Sequence, residues 1–395
     1  MMRRDCLALL SAAATAPAWA APDCTAPWPL WKTFVSYFMQ ADGRVLDAST
    51  PQKHSSSEGQ SYGMFFALIA NDRPRFDSLW RWTVSNLMGG QVQGRLPAWF
   101  WGLAPDNTWR VLDTNSASDA DLWFTYSLLE AARLWKEPAY ERDARLLLAE
   151  IEKREIANVP GLGPMLLPGE LGFVHHNPER WTFNPSYQPP PVLRRLVSAS
   201  PMGPWGAVAR NTATLYENIT RPSGFAPDWT AFTLDDSGKG SFGIHPEKSD
   251  VGSYDAIRTY LWAGITHPSD ALSAPLRSQL AGQLKATVAN GQPPESVTVS
   301  TGVPKGTGSF GFSAAMLPML RAAGATKALE IQRQRVADGL QQALLPQNAQ
   351  QRQPPYYDVV LSLFGQGWLD GRYQFTRSGE LEPAWTKPCR ATPVH

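Results

Sequence analysis

Ser55-Ser56-Ser57-Glu58-Gly59-Gln60-Ser61-Tyr62-Gly63-Met64 leads into an apolar run that continues to Leu68, and two other segments repeat its grammar. Asp119 lies in Ser116-Ala117-Ser118-Asp119-Ala120-Asp121-Leu122-Trp123, and Asp255 in Gly252-Ser253-Tyr254-Asp255-Ala256-Ile257-Arg258. Each acid follows small polar residues and opens an apolar stretch with helical spacing. Three carboxylates at three helix starts can meet at one end of a helical barrel, where grouped acids suit proton-transfer chemistry.

Each acid also has a structural reading. Ser55-x-x-Glu58 has the form of a capping box, in which a Ser hydroxyl and a Glu three residues on satisfy the free N–H groups of a helix start. Ser118-x-x-Asp121 has the same shape, and Asp119 would suit the positive end of the helix dipole. For Asp255, Asp250 or Ser253 could supply the cap. Chemistry adds an opposing demand, because a helix start lowers a carboxyl pKa whereas a general acid must keep its proton. A second carboxylate within a few ångström and apolar walls would push back. Glu58 beside Asp119, walled by Trp and Tyr rings, is the expected arrangement.

Helical spacing recurs over 28–40, 58–71, 74–88, 118–135, 138–153, 204–218, 250–264, 270–289, 310–322, 324–343 and 355–368. Alternating patterns are few, with one short hairpin expected near Phe232 to Ile244 and another near Tyr373 to Leu381. The fold class read from this is all-α, as either a helical bundle stack or an α/α toroid; periodicity does not separate them. Long loops at Gly89–Ala117, Val159–Met202, Arg221–Ser249 and Gly291–Ser309 hold Trp99, Trp101, Trp109, Trp181, Tyr187 and Trp229. Loops of that length in a compact unit usually carry function. Sixteen Trp residues exceed what a core needs, and flat apolar rings in loops suit the walls of a groove. Similar helices continue on both sides of Gln188-Pro189-Pro190-Pro191, so a single domain is expected.

Residues 1–21 read as an export leader: Arg3-Arg4, a weakly polar stretch from Leu7 to Ala16, and the small-residue pattern Ala18-Trp19-Ala20. Arg3-Arg4 leaves a twin-arginine route open beside the general secretory one. Cleavage leaves residues 22–395 with only Cys24 and Cys389, and in an oxidising compartment such a pair favours a disulfide. Closing so long a loop is worth about 4–5 kcal/mol on the chain-entropy account. A net charge of +1 argues against a nucleic-acid surface. His175-His176 lacks metal-ligand spacing, and Gly306-Thr307-Gly308 lacks a nucleotide-binding context, so neither metal nor cofactor is expected.

The chain resembles the glycoside hydrolase family 8 endoglucanases, and among them the periplasmic cellulases encoded with bacterial cellulose synthase. The resemblance rests on the Glu58 block, Leu96-Pro97-Ala98-Trp99, Ser116 to Asp121, Asn184-Pro185-Ser186-Tyr187, Ser253 to Arg258, Gly311-Phe312-Ser313-Ala314-Ala315-Met316-Leu317-Pro318 and Leu363-Phe364-Gly365-Gln366-Gly367-Trp368, all in order. Ala117 to Asp121 meets the family's Ala-Ser/Thr-Asp-Ala/Gly-Asp signature, while Phe124-Thr125 departs from its usual Ile or Met followed by Ala. The resemblance implies an (α/α)6 barrel, an inverting mechanism and a β-1,4-glucan substrate. It makes Glu58 the proton donor and Asp255 the base that activates water, about 6.5–9.5 Å apart. Asp119 would grip and distort the sugar beside the cut bond, and its charge would raise the pKa of Glu58. Arg258, one turn after Asp255, would hold that carboxylate or the water. Trp99, Tyr187 and Tyr254 would wall the cleft, with weaker claims for Trp101, Trp181 and Trp229. The leading reading has the enzyme trimming glucan chains in the periplasm in functional link with a cellulose synthase complex; hydrolysis of another β-1,4 polymer such as xylan or chitosan, and a non-catalytic glucan-binding role in the export apparatus, are the rival readings.

Overall fold

The structure, a computed structural model, describes residues 27–345 and 353–387; the leader and all three cysteines lie outside them. Helices run in the order α1 (Pro29–Phe38), α2 (Ser57–Ile69), α3 (Arg73–Leu87), α4 (Ser118–Trp135), α5 (Pro138–Arg154), α6 (Pro190–Ala199), α7 (Trp205–Ile219), α8 (Ala256–Ile265), α9 (Ser273–Gln279), α10 (Ala281–Asn290), α11 (Phe310–Ala322), α12 (Thr326–Ala343) and α13 (Tyr356–Leu369).

Two kinds of helix alternate. All ten residues of α8 are buried, and in α2 only Glu58 escapes burial. A helix apolar on every side belongs inside. By contrast α3, α5 and α12 each bury one stripe and expose charged residues on the other face. The inner helices α2, α4, α6, α8, α11 and α13 neighbour one another in turn, and the others pack outside them. This is an (α/α)6 toroid. The ring closes around Phe364 of α13, whose side chain meets Tyr62, Phe65 and Phe66 of α2, Trp123 of α4 and Trp262 of α8 at centroid distances of 4.7–5.5 Å. Burying each such ring contributes about 1.5–3 kcal/mol, so the plug is a main source of cohesion. Gly365 allows the close approach of α13 to α11, since a Cβ there would run into the Ala314 carbonyl.

Both expected hairpins are present, at 230–234 with 240–244 and at 373–375 with 381–383. The sequence reading missed others. Strands 100–103 and 109–113 pair with each other, as do 156–159 and 163–166, and 174–176 and 179–183 extend the first hairpin into a four-stranded sheet. The span 159–202 is therefore not a plain loop, and it also contains α6. Pro190 and Pro191 mask that helix from a pattern search, yet they occupy its first two positions, where no intrahelical N–H bond is lost. Likewise the helix expected over 250–264 starts only at Ala256, because 251–252 pair with 297–298. The helix expected over 270–289 breaks into α9 and α10 at Leu280.

Candidate active site

Arg258 lies at the centre of the three acids. One terminal nitrogen, Nη1, donates to Glu58 Oε2 and stands 3.7 Å from Asp119 Oδ2, while Nη2 donates to Asp255 Oδ1 at 2.8 Å and to Ser186 Oγ at 3.1 Å. Glu58 and Asp255, 197 positions apart by their numbers, thus take different nitrogens of one guanidinium. The Arg258 and Asp119 side chains are almost wholly buried, at 5% and 3% exposure, whereas Glu58 and Asp255 keep 22% and 30%. The two outer acids face solvent across a cation that does not.

Local structure explains why these carboxylates are free. In α2 the cap is Ser56, whose hydroxyl accepts from Gly59 N at 3.0 Å; Ser55 lies in a strand and its hydroxyl accepts from Arg44 Nε. The capping box read from Ser55 and Glu58 does not form, and Glu58 reaches Arg258 instead. Ser118 is the first residue of α4 rather than its cap, and its own N–H donates to Pro168 O. Asp119 Oδ1 accepts from Ala120 N at 2.8 Å. Neither Asp250 nor Ser253 caps α8: Asp250 accepts from Ser300, and the Ser253 hydroxyl donates to Asp228.

Electrostatics divides the group. Burial, then the charge of Glu58, pushes the Asp119 carboxyl well above the usual range, with Arg258 pulling the other way. Asp255 is raised by burial first, and Arg258 opposes this. Burial works against the charge on Arg258, but Glu58 and its other negative neighbours more than offset that and hold it firmly cationic. Of the three carboxylates around this one guanidinium, Asp119 is the one shut off from solvent, and its charge is the one the site disfavours most.

The aromatic candidates separate. Tyr187, half-buried, lies 5.5 Å under the Arg258 guanidinium and meets Trp229 edge-on at 6.2 Å. Trp229 in turn is stacked with Phe173, and the Lys248 ammonium lies over its ring, 5.2 Å away. Trp99 is 37% exposed on the rim, its carbonyl accepting from Ser57 N at the start of α2. Tyr254, 51% exposed, donates to Glu295 and packs against Phe312 of α11, while Tyr357 of α13 donates to the Tyr254 carbonyl. Trp101 is turned aside, with Arg44 over both it and Trp109, and Trp181 is buried against Phe232. His175 and His245 both bond to Thr182, and no cluster of three metal-ligating side chains occurs among the described residues.

Three contributors were not legible beforehand. Ser186 accepts from Arg258 and donates to Asn184 Oδ1; Asp228 underlies Asp255; Glu155 pairs with Asp121 behind Asp119. Only the Asn184-Pro185-Ser186-Tyr187 block carried any signal for them. A cavity of about 580 Å³ lies elsewhere: it is lined by Trp28, Trp31, Ile69, Arg372 and Trp385, at the opposite end of α2. A rise of 1.5 Å per residue puts Ile69 about 16 Å from Glu58. Glu58 and Asp255 open to solvent rather than into that cavity.

A helical toroid with grouped carboxylates at one rim and aromatic rings beside them is the form of a glycan-cleaving enzyme. The chain belongs to glycosyl hydrolases family 8, whose model matches residues 6–371. It is 46% identical over 393 residues to an endoglucanase of Pseudomonas fluorescens (strain SBW25), covering 98% of each chain. An endoglucanase of Xanthomonas axonopodis pv. citri (strain 306) is likewise 46% identical over 393 residues, covering 99% of this chain and 98% of its own. Among solved structures, the endo-1,4-D-glucanase from Vibrio fischeri ES114 superposes with a TM-score of 0.84 at 38% identity, over 91% of this chain and all of that one. The chain is accordingly a glycoside hydrolase.

Proposed function

We propose that this chain is an inverting endo-β-1,4-glucanase, a cellulase that cuts within β-1,4-glucan chains. The observation that carries the reading is the single buried guanidinium holding Glu58 and Asp255 on separate nitrogens, with Asp119 beside it. A glucan chain lies along the open groove against Trp99, Tyr187, Tyr254 and Trp229. Its scissile oxygen draws Glu58 away from Arg258, and Glu58 delivers a proton to that oxygen as the bond to the anomeric carbon breaks. On the other face Asp255 takes a proton from a water whose oxygen attacks the same carbon, so the product has the opposite anomeric configuration. Arg258 keeps Asp255 ionised and aimed. Asp119, fixed by Ala120 N, grips the sugar beside the cut bond.

The same reading places the protein outside the cytoplasm as one catalytic domain from residue 22 onward, in the periplasm, trimming glucan during cellulose synthesis and export. No helix among the described residues is long and apolar enough to cross a membrane.

Two measurements test this. Reducing-sugar release from carboxymethylcellulose, xylan and chitosan identifies the polymer, and NMR of the first anomer formed from a soluble cello-oligosaccharide reports the stereochemistry. Glu58→Gln should retain binding and lose about 10²–10⁴ in rate, the usual worth of a general acid. Retention of the substrate's anomeric configuration, or full activity in Glu58→Gln, would overturn the mechanism. A parent chain inactive on every glucan would favour a binding role instead.

A further inference from the structure

Helix α8 starts without a cap of its own. Asp255 is its N-cap residue, a position where Asp normally folds its carboxylate back onto the free N–H groups of the first turn, yet its side chain makes no such bond. The carboxylate goes to Arg258 instead. Asp228, from the segment before the 230–234 strand, fills the gap. Its Oδ1 accepts from the backbone N–H of Ser253 at 2.7 Å, Asp255 at 3.1 Å and Ala256 at 2.8 Å, and its Oδ2 accepts from the Ser253 hydroxyl at 2.6 Å. Asp228 is itself anchored, because its N–H donates to Val251 O at 2.8 Å, and it is 8% exposed.

We infer that Asp228 is a positioning residue that caps α8 in place of Asp255, and so releases the Asp255 carboxylate for catalysis. The inference rests on the base role proposed above for Asp255. Without an acceptor at position 228, the N–H groups of Ser253, Asp255 and Ala256 lose their partner, and the Asp255 carboxylate can turn to the Ala256 N–H beside it, as Asp119 does to Ala120. Satisfying the helix would draw it off Arg258 and out of the groove. The charge of Asp228 has a second effect. Asp255 faces Arg258 on its own helix, Glu58 from α2, Asp228 from below, and the Tyr187 and Tyr357 rings; among these Asp228 works to keep the Asp255 carboxyl raised.

The test compares Asp228→Asn, Asp228→Ala and Asp255→Asn on a soluble cello-oligosaccharide across pH, with circular dichroism confirming the fold. Asp228→Asn keeps an acceptor oxygen but not the charge. It should hold kcat within about tenfold of the parent and move the acidic limb of the kcat/KM profile to lower pH, because the base then ionises more readily. Asp228→Ala should lower kcat by about 10²-fold or more with KM altered less than about twofold, as expected when a base is misdirected while substrate binding is untouched. Asp228→Ala with parental kcat overturns the inference, as does an unchanged acidic limb in Asp228→Asn; the second result decides alone where the alanine variant does not fold. Asp255→Asn separates the two levels. If it is inactive while both Asp228 variants behave like the parent, only the capping role falls. If it retains activity, the base assignment falls and takes the capping role with it.

Discussion

Glu155→Gln should flatten the dependence of stability on pH. Glu155 and Asp121 are both fully buried behind Asp119. Glu155 Oε1 accepts from Ser116 Oγ at 2.6 Å, and Asp121 has no hydrogen bond to anything but its carboxyl neighbour. Burial, above all, lifts Glu155 from 4.5 to about 8; burial and then Glu155 lift Asp121 well above the usual range. A carboxyl that holds its proton more tightly when folded stabilises the fold most below its unfolded pKa. That stability drains away as pH rises through the folded value. The window here runs from about 4.5 to about 8, and a shift of that size corresponds to about 5 kcal/mol, shared across the coupled pair.

Glutamine at 155 keeps an acceptor for Ser116 and cannot ionise. Urea unfolding of parent and variant at pH 5 and pH 8.5 cancels every titration the two have in common. The parent should lose about 3–5 kcal/mol more than the variant between those pH values. Superimposable pH dependence would refute the view that this pair holds a proton at neutral pH. Loss of stability in the variant at both pH values alike would instead mark Glu155 as an ordinary hydrogen-bonding group.

Arg258→Lys supplies one compact ammonium where two carboxylates now take separate nitrogens, so kcat should fall at least about tenfold with folding retained; parental kcat would remove Arg258 from the mechanism. The described chain ends converge, since Arg372 Nη2 donates to Pro27 O at 3.0 Å and the Arg372 carbonyl accepts from Ala384 N at 2.8 Å. Cys24 and Cys389 lie just beyond those ends. Non-reducing peptide mapping of the exported protein should recover them as one linked pair, and replacing both with Ser should cost about 2–5 kcal/mol; free thiols at both sites would exclude the bond.

The acids were legible because each combined a helix start with a polar residue that the apolar pattern did not need. The inner helices were legible through their unbroken apolar runs. Other features depend on partners far along the chain. Asp228 stands alone in Pro227-Asp228-Trp229, and nothing in that tripeptide says that three N–H groups 25–28 positions later converge on it. Glu155 follows the last turn of α5 and looks like one more charge among Glu150, Glu152, Lys153 and Arg154, until packing removes it from water. In α6 the prolines that begin the helix are the residues that ordinarily argue against one. The Glu58 capping box failed by one residue, Ser56 taking the role given to Ser55, and that shift is what sets Glu58 free.

The three helix starts also differ in a way that bears on their roles. Each presents N–H groups and the positive end of a dipole, and so competes for any carboxylate nearby. At α2 the competition is met by the Ser56 hydroxyl, and at α8 by Asp228; Glu58 and Asp255 are thereby left with their oxygens turned to Arg258 and the groove. At α4 no such substitute is present, and Asp119 spends one oxygen on Ala120 N. A group that must accept or deliver a proton during a reaction needs an oxygen free to exchange partners, whereas a group that fixes a sugar gains from being tied down. The division of capping duty suits the roles proposed above, with free oxygens on Glu58 and Asp255 for proton transfer and a tied carboxylate on Asp119 for positioning, independently of the order in which the three occur along the chain.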